Sequence, residues 1–79
     1  MDSDRQTQEI KVACYSGYRA DERPVSFIFD DRKIIVEKII DQWRSPDGDY
    51  FKVLAHDGKG YLLVHNKDDA WVLEKVFEM

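Results

Sequence analysis

Two apolar runs flanking Asp57-Gly58 constrain this chain more than any other feature. The stretch Tyr50 to His65 reads YFKVLAHDGKGYLLVH. An Asp-Gly dipeptide between such runs favours the left-handed backbone of a type I′ turn, which predicts a tight β-hairpin with a two-residue loop. In that register Phe51 lies opposite Val64, Val53 opposite Leu62 and Ala55 opposite Gly60. These residues share one wholly apolar face, expected to be the core. Tyr50, Lys52 and Leu54 then lie opposite His65, Leu63 and Tyr61 on a mixed second face.

The rest of the chain reads as more strands of the same kind. From Glu9 to Tyr15, Ile10, Val12 and Cys14 alternate with Lys11, Ala13 and Tyr15, the period of a half-buried strand. Ser16 to Pro24 is a connection broken open by Gly17. Pro24 suits the first position of a strand. Val25 to Phe29 follows, with Val25, Phe27 and Phe29 expected inward and Ile28 outward. Asp30 to Lys33 is a charged turn. Ile34 to Trp43 fits a helix by the spacing of Ile35, Ile39, Ile40 and Trp43. Its density of Ile and Val favours a strand, and the strand reading predicts a bulge or bend near Glu37-Lys38. Ser45-Pro46-Asp47-Gly48 is a turn in which proline pre-sets the backbone. Asn66 to Asp69 makes the last turn, and Ala70 to Phe77 the last strand.

Short strands joined by short turns pair as neighbours. The expected fold is all-β, a five- or six-stranded antiparallel meander curled into a small SH3-like barrel or a strongly bent sheet. Seventy-nine residues leave room for one domain, expected over residues 9–79, behind a disordered tail at residues 1–8. A chain this short buries only about 60% of its unfolded surface, so its core must be used fully or helped by a partner.

Most chemical constellations reduce to structure. The single cysteine, Cys14, allows no internal disulfide and is expected to pack as a small hydrophobe. His56 at the hairpin tip and His65 at its far end are too far apart to share a metal ion. One cysteine does not complete a four-ligand zinc set with them. The pairs Asp30-Asp31, Asp47/Asp49 and Asp68-Asp69 fall in predicted turns, where aspartate serves the backbone. Gly58-Lys59-Gly60 lacks the strand–loop–helix setting of a phosphate loop. No catalytic residue, cofactor or metal is expected. The formal charge of −4 and the lack of any basic block argue against duplex DNA as the primary partner. Without a secretory signal, lipidation motif or long apolar run, the expected location is the cytoplasm and no membrane is expected.

The aromatic residues carry the functional expectation. Tyr18, Trp43, Tyr50, Tyr61 and Trp71 are amphipathic rings of the kind that line peptide grooves and interfaces. For Trp43 and Trp71 the structural alternative is closing the ends of the core. The candidate interaction surface comprises Tyr18, Arg19, Arg23, Trp43, Tyr50, Leu54, Tyr61 and Leu63. A mixed face bearing Tyr50, Leu54, Tyr61 and Leu63 calls for a covering partner, a second copy of the chain being one candidate.

Phe29-Asp30-Asp31-Arg32-Lys33, Ile40-Asp41-Gln42-Trp43-Arg44, Tyr50-Phe51-Lys52-Val53, Asp57-Gly58, Tyr61-Leu62-Leu63 and Trp71-Val72-Leu73 together resemble a family of short bacterial domains. Members occur alone or as a tail on Y-family DNA-polymerase-like proteins. The resemblance covers Pro24 to Leu73 and implies a bacterial β domain without catalytic residues. Two functional expectations follow. The first is a non-enzymatic protein-interaction module. The second, implied by the association with polymerase-like proteins, is an accessory domain of a DNA-damage-tolerance complex. The second predicts Arg19, Arg23, Arg32, Lys33 and Arg44 clustered beside exposed rings.

Overall fold

A computed structural model of the chain describes residues 8–15 and 23–78. Six strands follow one another: β1 (Gln8–Tyr15), β2 (Arg23–Phe29), β3 (Arg32–Ser45), β4 (Gly48–Ala55), β5 (Lys59–Asn66) and β6 (Trp71–Glu78). Each pairs antiparallel with its neighbour, and β6 returns to β1, closing a small barrel in the order β1-β2-β3-β4-β5-β6. No described residue is helical, so the β-branched density of Ile34 to Trp43 prevails over its helical spacing. The expected tail lies outside the described residues except for Gln8, which opens β1. Of the expected loop, residues 16–22 also lie outside, while Arg23 and Pro24 belong to β2.

The interior is built from alternate positions of every strand. Ile10, Phe27, Ile34, Phe51, Val53, Ala55, Tyr61, Leu63 and Leu73 form the buried cluster, with Val12, Phe29, Val36, Ile39 and Trp71 packed against it. Tyr61 is 2% exposed and stands at the centre. Its ring meets Phe27 edge-on at 5.0 Å and Phe29 at 6.3 Å. Such edge-to-face pairs add to the large area an aromatic ring buries.

This arrangement corrects the central hairpin. Phe51 pairs with Leu63, Val53 with Tyr61 and Leu54 with Gly60, one residue away from the expected register. The loop has three residues, His56-Asp57-Gly58. Gly58 N–H donates to the Ala55 carbonyl at 3.0 Å, and Gly58 alone takes a left-handed φ of 86°. That is a type I turn followed by a glycine bulge. Three tip contacts favour it. His56 N–H donates to the Ile35 carbonyl of β3 at 2.9 Å. Asp57 Oδ1 accepts from Lys59 N–H at 3.0 Å, and Tyr61 Oη donates to Asp57 Oδ2 at 2.6 Å. Because the side-chain period is two, the single-residue shift exchanges the faces of β5. Tyr61 and Leu63, expected on the mixed outer face, are core; Leu62 and Val64, expected in the core, lie on the outer side of the sheet, where Leu62 is half-buried and Val64 is nonetheless buried.

The type I′ geometry occurs elsewhere. Phe29 pairs with Arg32, leaving Asp30-Asp31 as a two-residue loop with φ of 61° and 63°. Aspartate tolerates that region better than most side chains. Arg32 and Lys33, expected in the turn, therefore begin β3, and Asp49 lies in β4 rather than a turn. At the next turn Ser45 pairs with Gly48. A Cβ on Gly48, where φ is 149°, would lie 2.4 Å from the His65 carbonyl oxygen, so the close approach of two backbones requires glycine.

Bulges decide several remaining side chains. In the β1–β2 ladder the register passes from Ala13↔Ser26 to Cys14↔Pro24. Val25 is thus looped out and exposed, a correction to its expected inward position. Pro24 is buried and Cys14 half-buried. In β3 the register shifts between Val36 and Lys38, where the bend is expected, and again between Ile39 and Asp41. Each extra residue bends the strand and reverses its alternation. Ile39 consequently packs on the core, whereas Ile40 is exposed.

Candidate functional site

The four-stranded stretch β3-β4-β5-β6 presents a continuous outer face. Cross-strand pairs set its rows. Trp43, Tyr50, Val64 and Val72 form one row; Asp41, Lys52, Leu62 and Lys75 form the next; Lys38, Leu54, Gly60 and Phe77 form the third. The bulge between Ile39 and Asp41 places Trp43 outward. A shift between Leu62 and Leu63 in the β5–β6 ladder leaves Glu74 unpaired and turns Lys75 outward.

Trp43 does not close the core. It is 43% exposed and lies flat on Tyr50, with centroids 5.3 Å apart and planes 9° from parallel. Tyr50 is half-buried because one side of its ring carries the indole. Below them Val64 is buried, although it stands outside the interior cluster. The row is therefore a small apolar layer of its own, open at Trp43. Leu54 is half-buried in the third row. Trp71, by contrast, serves the barrel end. It packs on Phe51 at 5.5 Å and stacks on His65 at 4.5 Å with planes 5° apart.

Of the residues expected to form one interaction surface, Trp43, Tyr50 and Leu54 share this outer face. Tyr61 and Leu63 are interior. Arg23 is exposed at the start of β2, and Tyr18 and Arg19 lie outside the described residues. Lys52 lies on the face beside Tyr50 and Leu54, as alternation on β4 indicates, whereas Leu62, Lys75 and Phe77 belong to the face but were not legible as its members. Their membership depends on the three-residue loop and the β6 bulge, neither of which alternation signals.

Two ion pairs lie together at the end of the barrel near the β3–β4 and β5–β6 turns. An open depression of about 610 Å³ lies between the β3–β4 and β5–β6 turns, lined by Arg44, Asp49, His65 and Asp69 among others. There Arg44 Nε pairs with Asp49 Oδ1 at 3.0 Å, and His65 Nε2 meets Asp69 Oδ1 at 2.8 Å. At the opposite hairpin tip, burial pushes the Tyr61 hydroxyl up to about 12, reinforced by its bond to Asp57 and that residue's charge. Burial also pushes Asp57 up, but the Tyr61 hydroxyl, the Lys59 N–H and nearby cations outweigh it, leaving Asp57 below its ordinary value. The Tyr61–Asp57 hydrogen bond contributes to both shifts, raising the tyrosine and lowering the aspartate. Among the described residues no three His, Cys, Asp or Glu side chains gather as a metal site.

Of the cations expected to cluster beside exposed rings, Arg19 lies outside the described residues and the others do not form one group. Arg32 opens β3 and Arg44 lies near its far end, while Arg23 begins β2. Comparison with models of protein families, with curated proteins and with solved structures finds no match.

Proposed function

We propose that the chain is a non-enzymatic protein-interaction module that docks through the outer face of β3-β4-β5-β6, anchored at Trp43. One observation carries this reading: an indole 43% exposed yet held flat on Tyr50. A ring fixed in advance loses little freedom on binding, and its remaining apolar surface rewards desolvation by a partner. Tryptophan in such a setting is a frequent interface hot spot. The interior cluster does not include Trp43, so the fold has no evident need of it.

A second copy of the chain is the first partner to test. Sedimentation velocity over a wide concentration range is expected to show reversible association that Trp43→Ala abolishes, while the variant retains cooperative unfolding. A chain that stays monomeric, and whose Trp43→Ala variant captures the same proteins from host extract as the wild type, would overturn the reading.

A further inference from the structure

The same outer face changes character along its strands, from the stacked rings at Trp43 to lysines gathered around Phe77. Lys52 Nζ lies 4.8 Å from the Phe77 ring centroid, and Lys75 Nζ lies 5.4 Å from the same centroid. Gly60, which carries no side chain, stands between Leu54 and Phe77 in the row. Leu62 stands between the two lysines, and Lys38 stands opposite Leu54. Among the described residues neither Lys52 nor Lys75 enters an ion pair, whereas Arg44 and His65 do. Two like charges are thus gathered over one ring in a chain whose formal charge is −4. Attraction to the ring favours each ammonium, but the pair repel each other. A carboxylate placed against them relieves that repulsion.

We propose that this face binds an acidic peptide segment bearing aliphatic side chains, with carboxylates on Lys52 and Lys75 and an apolar side chain against Leu54, Leu62 and Phe77. The inference rests on the reading of this face as an interface and adds the chemistry of the partner. Charge complementarity selects an acidic occupant. Leu62 between the lysines and Leu54 beside them select a peptide over a phosphate backbone, which would use none of that apolar surface. Asp41, opposite Lys52, also interrupts any cationic track.

The test uses a fluorescein-labelled peptide rich in glutamate with spaced leucines, read by anisotropy. The double variant Lys52→Glu/Lys75→Glu is expected to weaken binding by about tenfold or more. Added salt is expected to weaken binding to the wild type, since rim charges are screened. Lys11→Glu/Lys33→Glu makes the same change in net charge at exposed positions flanking Ile28 on β1 and β3, and is expected to bind as the wild type does. A lysine-for-glutamate version of the peptide is expected not to bind. Equal weakening by both double variants would overturn the proposal, as would no weakening by Lys52→Glu/Lys75→Glu. So would equally tight binding of anionic lipid vesicles or single-stranded oligothymidine through the same two lysines. If the lysine variant is silent while Trp43→Ala abolishes association, the acidic-partner inference fails and the interaction reading survives.

Discussion

Two turns of this barrel look alike in sequence and behave differently. Asp30-Asp31 has no glycine, yet it is the two-residue loop with both residues left-handed. Asp57-Gly58 has the stronger sequence signal for that loop, yet it opens to three residues by taking in His56. The two-residue form is a local backbone preference, whereas burying an aromatic or leucine side chain contributes about 1.5–3 kcal/mol. Tyr61 and Leu63 both enter the core in the three-residue form, so packing decides the loop. The comparison teaches that a turn motif proposes a register and the core selects it.

The most severe way to break this balance is Leu63→Asp, which puts a carboxylate at a fully buried site opposite Phe51. Only a slip to the other register, with Leu62 and Val64 inward in place of Tyr61 and Leu63, would carry that charge to the outer face. Loss of cooperative unfolding is expected, a destabilisation beyond about 4 kcal/mol, read by urea denaturation with near-ultraviolet dichroism. An unchanged midpoint would show that the core accepts either face of β5.

A gentler version compares neighbours across the sheet. Leu63→Ala should cost about 3–4 kcal/mol by emptying a fully buried site. Leu62→Ala, on the outer face, should cost about 1 kcal/mol. Equal effects in chemical denaturation would contradict the assigned register.

Tyr61→Phe keeps the ring and removes only its bond to Asp57, at an expected cost of about 1 kcal/mol. The pH dependence sharpens the point. The folded tyrosine is raised to about 12 from 10.0, so its contribution is full below pH 10 and is lost as pH rises through 12. Asp57 is lowered, so its contribution is present above its unfolded value near 3.8 and is lost as pH falls through its folded value. Tyr61→Phe should flatten the alkaline limb of the stability profile. An identical limb in the variant would place the effect elsewhere.

The smallest effect belongs to the other turn. Asp31→Gly should raise stability by about 0.5 kcal/mol, because glycine adopts a left-handed φ without a Cβ penalty that outweighs its extra chain entropy. A loss of stability would mean that the aspartate side chain holds the turn.

The candidate site was legible in part for the same reasons as the fold. Trp43, Tyr50 and Leu54 fall on the outer face by simple alternation on β4 and a short count back from the Ser45–Gly48 turn. Lys75 and Phe77 do not, because the β6 bulge at Glu74 reverses the period between Leu73 and Lys75. Val25 was misplaced for the same reason on β2. Alternation reads residue parity correctly only as far as the next bulge, and bulges carry no reliable residue signature.

The sequence by itself determined the strands, their order and their antiparallel pairing, since apolar alternation and short turns are local properties. It also marked the bend near Glu37-Lys38, where the apolar run is interrupted by charge. Only the tertiary structure decided which face of β5 is interior, that the sheet closes on β1, and that Lys52 and Lys75 meet over Phe77. Those outcomes depend on filling one enclosed volume with Phe27, Phe29 and Tyr61 together. That constraint joins residues far apart in the chain, and no local preference is strong enough to oppose it.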